Sequence, residues 1–126
     1  MNENELSRKI IGCAIGVHKE LGPGLIEPLY EEAFCHELSL AKLRFERQKQ
    51  VPIPYKGITL SHPLRMDLLI EDQIIVDNKA KSAVTDLDKA QLLSYLRLRK
   101  LRLDLLINFH VIRLVDGVHR IVNGFE

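Results

Sequence analysis

Leu6, Ile10, Ala14, Val17 and Leu21 recur at spacings of three and four, which is one helical face, and predict a helix over residues 4 to 21. Gly22, Pro23 and Gly24 stop it. Leu29, Ala33, Phe34 and Leu38 make a second apolar stripe and predict a helix over 27 to 41, with Pro28 in the first turn, where a missing N–H costs little. The pattern then changes. The stretch "FERQKQVPIPY" reads as extended, and its two prolines suit an edge or irregular strand. After a turn at Lys56-Gly57, "LRMDLLIE" and "QIIVDNKA" predict a hairpin around Glu71, Asp72 and Gln73. "TDLDKAQLLSYLRLRK" is a helix, with Thr85 as N-cap and Asp88 completing a capping box. "LRLDLLINF" is a strand apolar on both faces, and "VIRLVDGVHRIVN" predicts a closing hairpin with Asp116-Gly117 at its tip.

The predicted order is α-α-β-β-β-α-β-β-β. Central strands without a polar face need covering by helices on one or both faces, so the fold class is α/β (α+β): a mixed central sheet flanked by helices. The 126 residues suit a single domain, residues 1 to 126, and a core of this size needs no disulfide or metal. With 46% hydrophobic and 28% charged residues, disorder is excluded. Cys13 and Cys35 match no zinc spacing and read as reduced thiols on helices. The first residues, "MNENELSRK", lack an apolar signal core, and no run reaches the ~20 residues of a membrane span. The expectation is a cytoplasmic protein without membrane contact.

A net charge of +1 excludes a surface that is basic throughout, so any contact with nucleic acid is local. The dense basic cluster is Arg97, Arg99, Lys100 and Arg102 at the end of the third helix. It reads either as a solvated helix end complementing the helix dipole or as a phosphate-binding patch.

Register decides what the carboxylates in "RMDLLIEDQIIVDNKAK" can do. A two-residue turn at Asp72-Gln73 pairs residue 68 with 77 and turns Asp67 and Asp77 to opposite faces. A three-residue loop, Glu71 to Gln73, pairs 67 with 77 and sets Asp67, Asp77 and Lys79 on one face. The loop lacks glycine, which disfavours the tight I′ or II′ turn and favours the longer loop. Two adjacent carboxylates repel unless a cation compensates. Two aspartates, a carbonyl and water suit Mg²⁺ or Mn²⁺, with Lys79 beside it to orient a water or stabilise developing charge. The bland alternative is a surface Asp-x-Lys pair worth about 0–1 kcal/mol. The five histidines show no ligand spacing, and Gly22-Pro23-Gly24 is a helix stop, not a phosphate loop.

The segment "GLIEPLY", Gly24 to Tyr30, reads G-x-x-E-x-x-Y. With "RMDLLIEDQIIVDNKA" and "AQLLSYL" it resembles the GxxExxY family of small bacterial proteins, placed in the PD-(D/E)xK nuclease superfamily, over about residues 5 to 123. The resemblance implies a restriction-endonuclease-like α-β-β-β-α-β core, here preceded by an N-terminal helix, and Mg²⁺-dependent phosphodiester hydrolysis. It implies that Glu27 is the early helix carboxylate, Asp67 the motif aspartate, and Asp77 and Lys79 the (D/E)-x-K pair. Gln91 and Tyr95 fit a Q-x-x-x-Y, four apart and so on one helical face. The expected metal ligands are Asp67, Asp77 and Glu27. Gln91 joins the catalytic group, and Tyr95, Arg97 and Arg99 bind substrate. The competing reading is an inactive nuclease-fold module that binds nucleic acid or a protein. Pairing of two copies through the closing hairpin is a further expectation, since its edge strand is apolar and unprotected.

Overall fold

The protein is described by a computed structural model over residues 1–124. Helix α1 spans Glu3–Leu21. Asn2 caps it by accepting from the Glu5 N–H at 2.8 Å, while the Glu5 carboxylate accepts from the Asn2 N–H. Gly22 ends it with a positive φ of 72°. Helix α2 spans Glu27–Leu40. The strands are β1 Phe45–Val51, the short hairpin β2 Pro54–Tyr55 with β3 Ile58–Thr59, then β4 Leu64–Ile70 and β5 Ile74–Lys79. Helix α3, Asp86–Arg99, leads to β6 Leu103–Asn108, a 3₁₀ turn Leu114–Gly117, and β7 Val118–Val122.

The main sheet has five strands in the order β1-β4-β5-β6-β7. Only β5 and β6 are parallel, which is why a helix must join them. The sheet separates two apolar layers. Leu68, Ile70, Ile74, Val76, Leu103, Leu105 and Ile107 pack with α1 and α2 through Leu6, Ile10, Val17, Phe34 and Leu38. Leu69, Ile75, Leu106 and Ile121 pack with α3 through Leu92, Tyr95 and Leu96. A mixed sheet flanked by helices is the architecture that the apolar strands predict, here with cover on both faces, and it agrees with a restriction-endonuclease-like fold.

The loop between β4 and β5 has three residues, and the pairs are Ile70↔Ile74, Leu69↔Ile75 and Leu68↔Val76. Glu71 and Asp72 both adopt positive φ, 53° and 56°, without a glycine. The Glu71 N–H donates to the Arg44 carbonyl at 2.9 Å, and its carboxylate accepts from the Arg44 N–H at 2.6 Å. That two-way clasp holds a backbone shape that side chains disfavour.

The closing hairpin differs from the expectation. Residues 109–113 form no strand, and β7 instead pairs antiparallel with β6, from Leu103↔Val122 to Ile107↔Val118. The reason is local packing. A Cβ on Gly117 would stand 2.1 Å from the Asn108 carbonyl oxygen, so the turn closes directly onto the end of β6. His18 Nε2 lies 2.8 Å from the Val111 carbonyl and ties the intervening loop to α1.

Candidate active site

The G-x-x-E-x-x-Y segment builds one wall. Gly24 takes a φ of 102°, open to glycine and strained for other residues. The Tyr30 hydroxyl donates to the Gly22 carbonyl and accepts from the Leu25 N–H at 3.1 Å. Its ring stacks on Phe109 at 4.5 Å between centroids. Together these groups fold the turn between α1 and α2 and place Glu27 at the first position of α2, half-buried. There the helix dipole favours an anion.

The second wall is a fault in the sheet. Phe45 and Leu68 pack in the α1/α2 layer, but Val51 and Met66 pack in the α3 layer. Residues an even number apart on a regular strand share a face, so both strands reverse faces in between. The ladder between β1 and β4 skips the pair Gln48 and Asp67, and Gln48 has a φ of 54°. Asp67 sits at this reversal. Its carboxylate reaches along the sheet and accepts the Asn78 N–H at 3.0 Å. Extending the β4–β5 register by one residue sets Asp67 across from Asp77.

Asp77 is buried, and its Oδ2 has no hydrogen-bond partner. Burial, with Asp67 and Glu27 nearby, pushes its pKa up to about 6, against the opposing pull of the Asp104 side chain and then of Lys79. Asp67 is raised mainly by burial, opposed by the Asn78 N–H. Glu27 is raised by burial and then by Asp67, while Lys79 and Arg65 act to lower it. Glu27, Asp67, Asp77 and Lys79 therefore lie within one another's electrostatic reach. Tyr95 is buried beside them, and Asp77 and Asp67 both raise its pKa, after burial. Gln91, one turn earlier on α3 and exposed, is nearer the carboxyl end of β5. Arg97 and Arg99 lie on the last turn of α3, which the crossover carries to the opposite end of the sheet. Asp88 caps Thr85 and pairs with Lys81 at 2.7 Å, which lowers its pKa to about 2.

A family model of the PD-(D/E)XK nuclease superfamily matches residues 4–121. The chain belongs to the PD-(D/E)XK nuclease superfamily. No match is found among curated proteins or among solved structures. Members of the superfamily generally depend on a divalent metal, and the oxygen-only donor set here suits a hard cation. The unpartnered Asp77 Oδ2 fits that use, since a buried carboxylate oxygen otherwise forfeits its hydration. Among the described residues, no group of three or more His, Cys, Asp or Glu side chains is arranged to hold a metal ion. Asp67, Asp77 and Glu27 are thus neighbours that do not converge as a set of three. A cation with one or two carboxylate ligands and a partial water shell is compatible with that arrangement.

Two acids of this superfamily member escaped the sequence pattern. Glu31, one turn after Glu27 on α2, is buried, accepts from Arg47 Nε at 2.8 Å and from Gln48 Nε2 at 2.8 Å, and adds negative charge near Glu27 and Asp67. The i,i+4 spacing of Glu27 and Glu31 was its available signal. Asp104, on β6, is fully buried with both carboxylate oxygens unpartnered. Its signal was a lone acid inside an apolar strand.

Proposed function

We propose that this chain is a nuclease of the GxxExxY type that hydrolyses phosphodiester bonds of DNA or RNA with Mg²⁺ or Mn²⁺. The observation that carries the reading is the meeting of Asp67, Asp77 and Lys79 where β4 and β5 part, with Asp77 Oδ2 buried and without a partner. In that reading Asp67 and Asp77 hold the metal, and Glu27 completes or orients its shell. When bound, the cation supplies an acidified water and polarises a phosphoryl oxygen. Lys79 orients the attacking water and steadies the charge that develops on the phosphorus oxygens. Gln91 and Tyr95 flank the substrate from α3.

The carboxyl end of β5 is where the strand of nucleic acid would arrive. The β2–β3 hairpin leaves the sheet at that same end, because it joins the last residue of β1 to the first of β4. It exposes Tyr55 and Ile58, with the Lys56 ammonium 5.5 Å from the Tyr55 ring centroid, and Arg65 stands exposed at the start of β4. Arg97 and Arg99 reach only a strand that runs the length of α3.

The test is cleavage of labelled single- and double-stranded DNA and RNA with and without Mg²⁺ or Mn²⁺. Asp67→Ala, Asp77→Ala and Lys79→Ala are each expected to abolish it. Cleavage that survives all three changes, or that ignores chelation, overturns the proposal. Binding without turnover would make the chain an inactive module.

A further inference from the structure

Asp104 is the unexplained group of this fold. It faces the α3 side of the sheet from β6, opposite Ile75, two residues before Asp77 on the neighbouring parallel strand. Its side chain is in contact with that of Asp77. Nothing else satisfies it, and Asp77 Oδ2 and both Asp104 oxygens are buried without a hydrogen-bond partner. Among the described residues six buried side-chain atoms lack a partner, Asn78 and Arg99 supplying the others, and three of the six belong to these two touching carboxylates. Among the described residues, neither carboxylate forms an ion pair with a Lys, Arg or His. Tyr95 is buried nearby, and Asp77, Asp67 and Asp104 all raise the pKa of its phenol, after burial.

A shared proton answers this only in part. One proton bridges two oxygens and leaves the third buried and bare. A divalent cation neutralises both carboxylates and draws on all three oxygens, with water in its remaining positions. We propose that the divalent cation of this site is seated between Asp77 and Asp104, so that Asp104 is a metal ligand supplied by β6. This rests on the metal-dependent reading of the site and goes beyond it, since the strand pattern that defines the site ends at Lys79. Asp67 then holds the same cation from β4 through its water shell, on the substrate side. Asp104 approaches the cation from the adjacent strand.

The experiment is a Mn²⁺ titration of the metal-free full chain, with free Mn²⁺ read by electron paramagnetic resonance, for the wild type, Asp104→Asn and Asp67→Asn. Asp104→Asn is expected to weaken Mn²⁺ binding by about tenfold or more while its circular dichroism spectrum is unchanged. Wild-type affinity in Asp104→Asn, with Asp67→Asn weakened, overturns this seat and leaves the nuclease reading standing. Failure of the wild type to take up Mn²⁺ at millimolar concentration overturns both. Asp104→Ala repeats the arm if the asparagine variant does not fold. Collapse of both variants also overturns the seat, because a carboxylate kept for a cation is not needed by the metal-free fold.

Discussion

At the scale of single residues, two buried carboxylates make stability depend on pH with an unusual sign. Asp77 is raised to about 6, and Asp104 well above the usual carboxylate range, first by burial and then by Asp77. A raised folded pKa means that the fold favours the protonated acid. The contribution is complete below the unfolded value, ~4, and is lost as pH rises through about 6 and beyond. Without metal, the urea midpoint of the wild type should therefore fall between pH 4 and pH 7. Asp104→Asn should flatten that fall, since the raised titration of Asp104 itself is removed. An identical slope in both proteins would show that the pair does not titrate with folding. The pairing that sets Asp67 across from Asp77 was legible in the sequence because an odd loop fixes the register, whereas the reversal of β4 at Asp67 left no sequence signal. Asp104 was not, because its meaning depends on which strand lies beside β5, and sequence order does not reveal that.

At the scale of elements, the β4–β5 turn decides the register on which Asp67 and Asp77 depend. The absence of glycine was read as an argument against a tight two-residue turn, and the loop has three residues, but Glu71 and Asp72 both take positive φ within it. The Arg44 clasp overrides the local preference, and a contact between residues 27 apart in sequence has no local signal. Asp72→Gly should relieve the second left-handed residue and raise stability by up to about 1 kcal/mol, or leave it unchanged, as read by the urea midpoint. A loss beyond that would show that Asp72 contributes more than its backbone. The helices were legible nearly to their ends, because their caps are written in neighbouring residues: Gly22 after α1, and Thr85 with Asp88 before α3. The closing hairpin was misread for the opposite reason. Asp116-Gly117 looks like a hairpin tip, but Gly117 is required by its close approach to Asn108, a contact between chain segments.

At the scale of the whole molecule, a net charge of +1 leaves little general attraction for nucleic acid, so the placement of the cations decides where it binds. The crossover β5–α3–β6 separates them into two groups. Lys56, Arg65 and Lys79 lie at the end of the sheet where the carboxylates gather, and Arg97 and Arg99 lie at the other end of α3. Phosphate drawn toward the carboxylates must be held by the first group, because charge–charge attraction in 0.15 M salt fades over about 8 Å. In an Asp67→Ala background without metal, binding of a short duplex should show a log K against log salt slope of about −3, one unit for each cation of the first group. Lys56→Glu with Arg65→Glu should lower affinity by about tenfold or more and shrink that slope by nearly two. Arg97→Glu with Arg99→Gln should change affinity by less than about twofold. Fluorescence anisotropy across a salt series reads both quantities. The reverse ranking would move the nucleic-acid track onto the far end of α3, away from Lys79, and would leave the carboxylate cluster without a route to its phosphate.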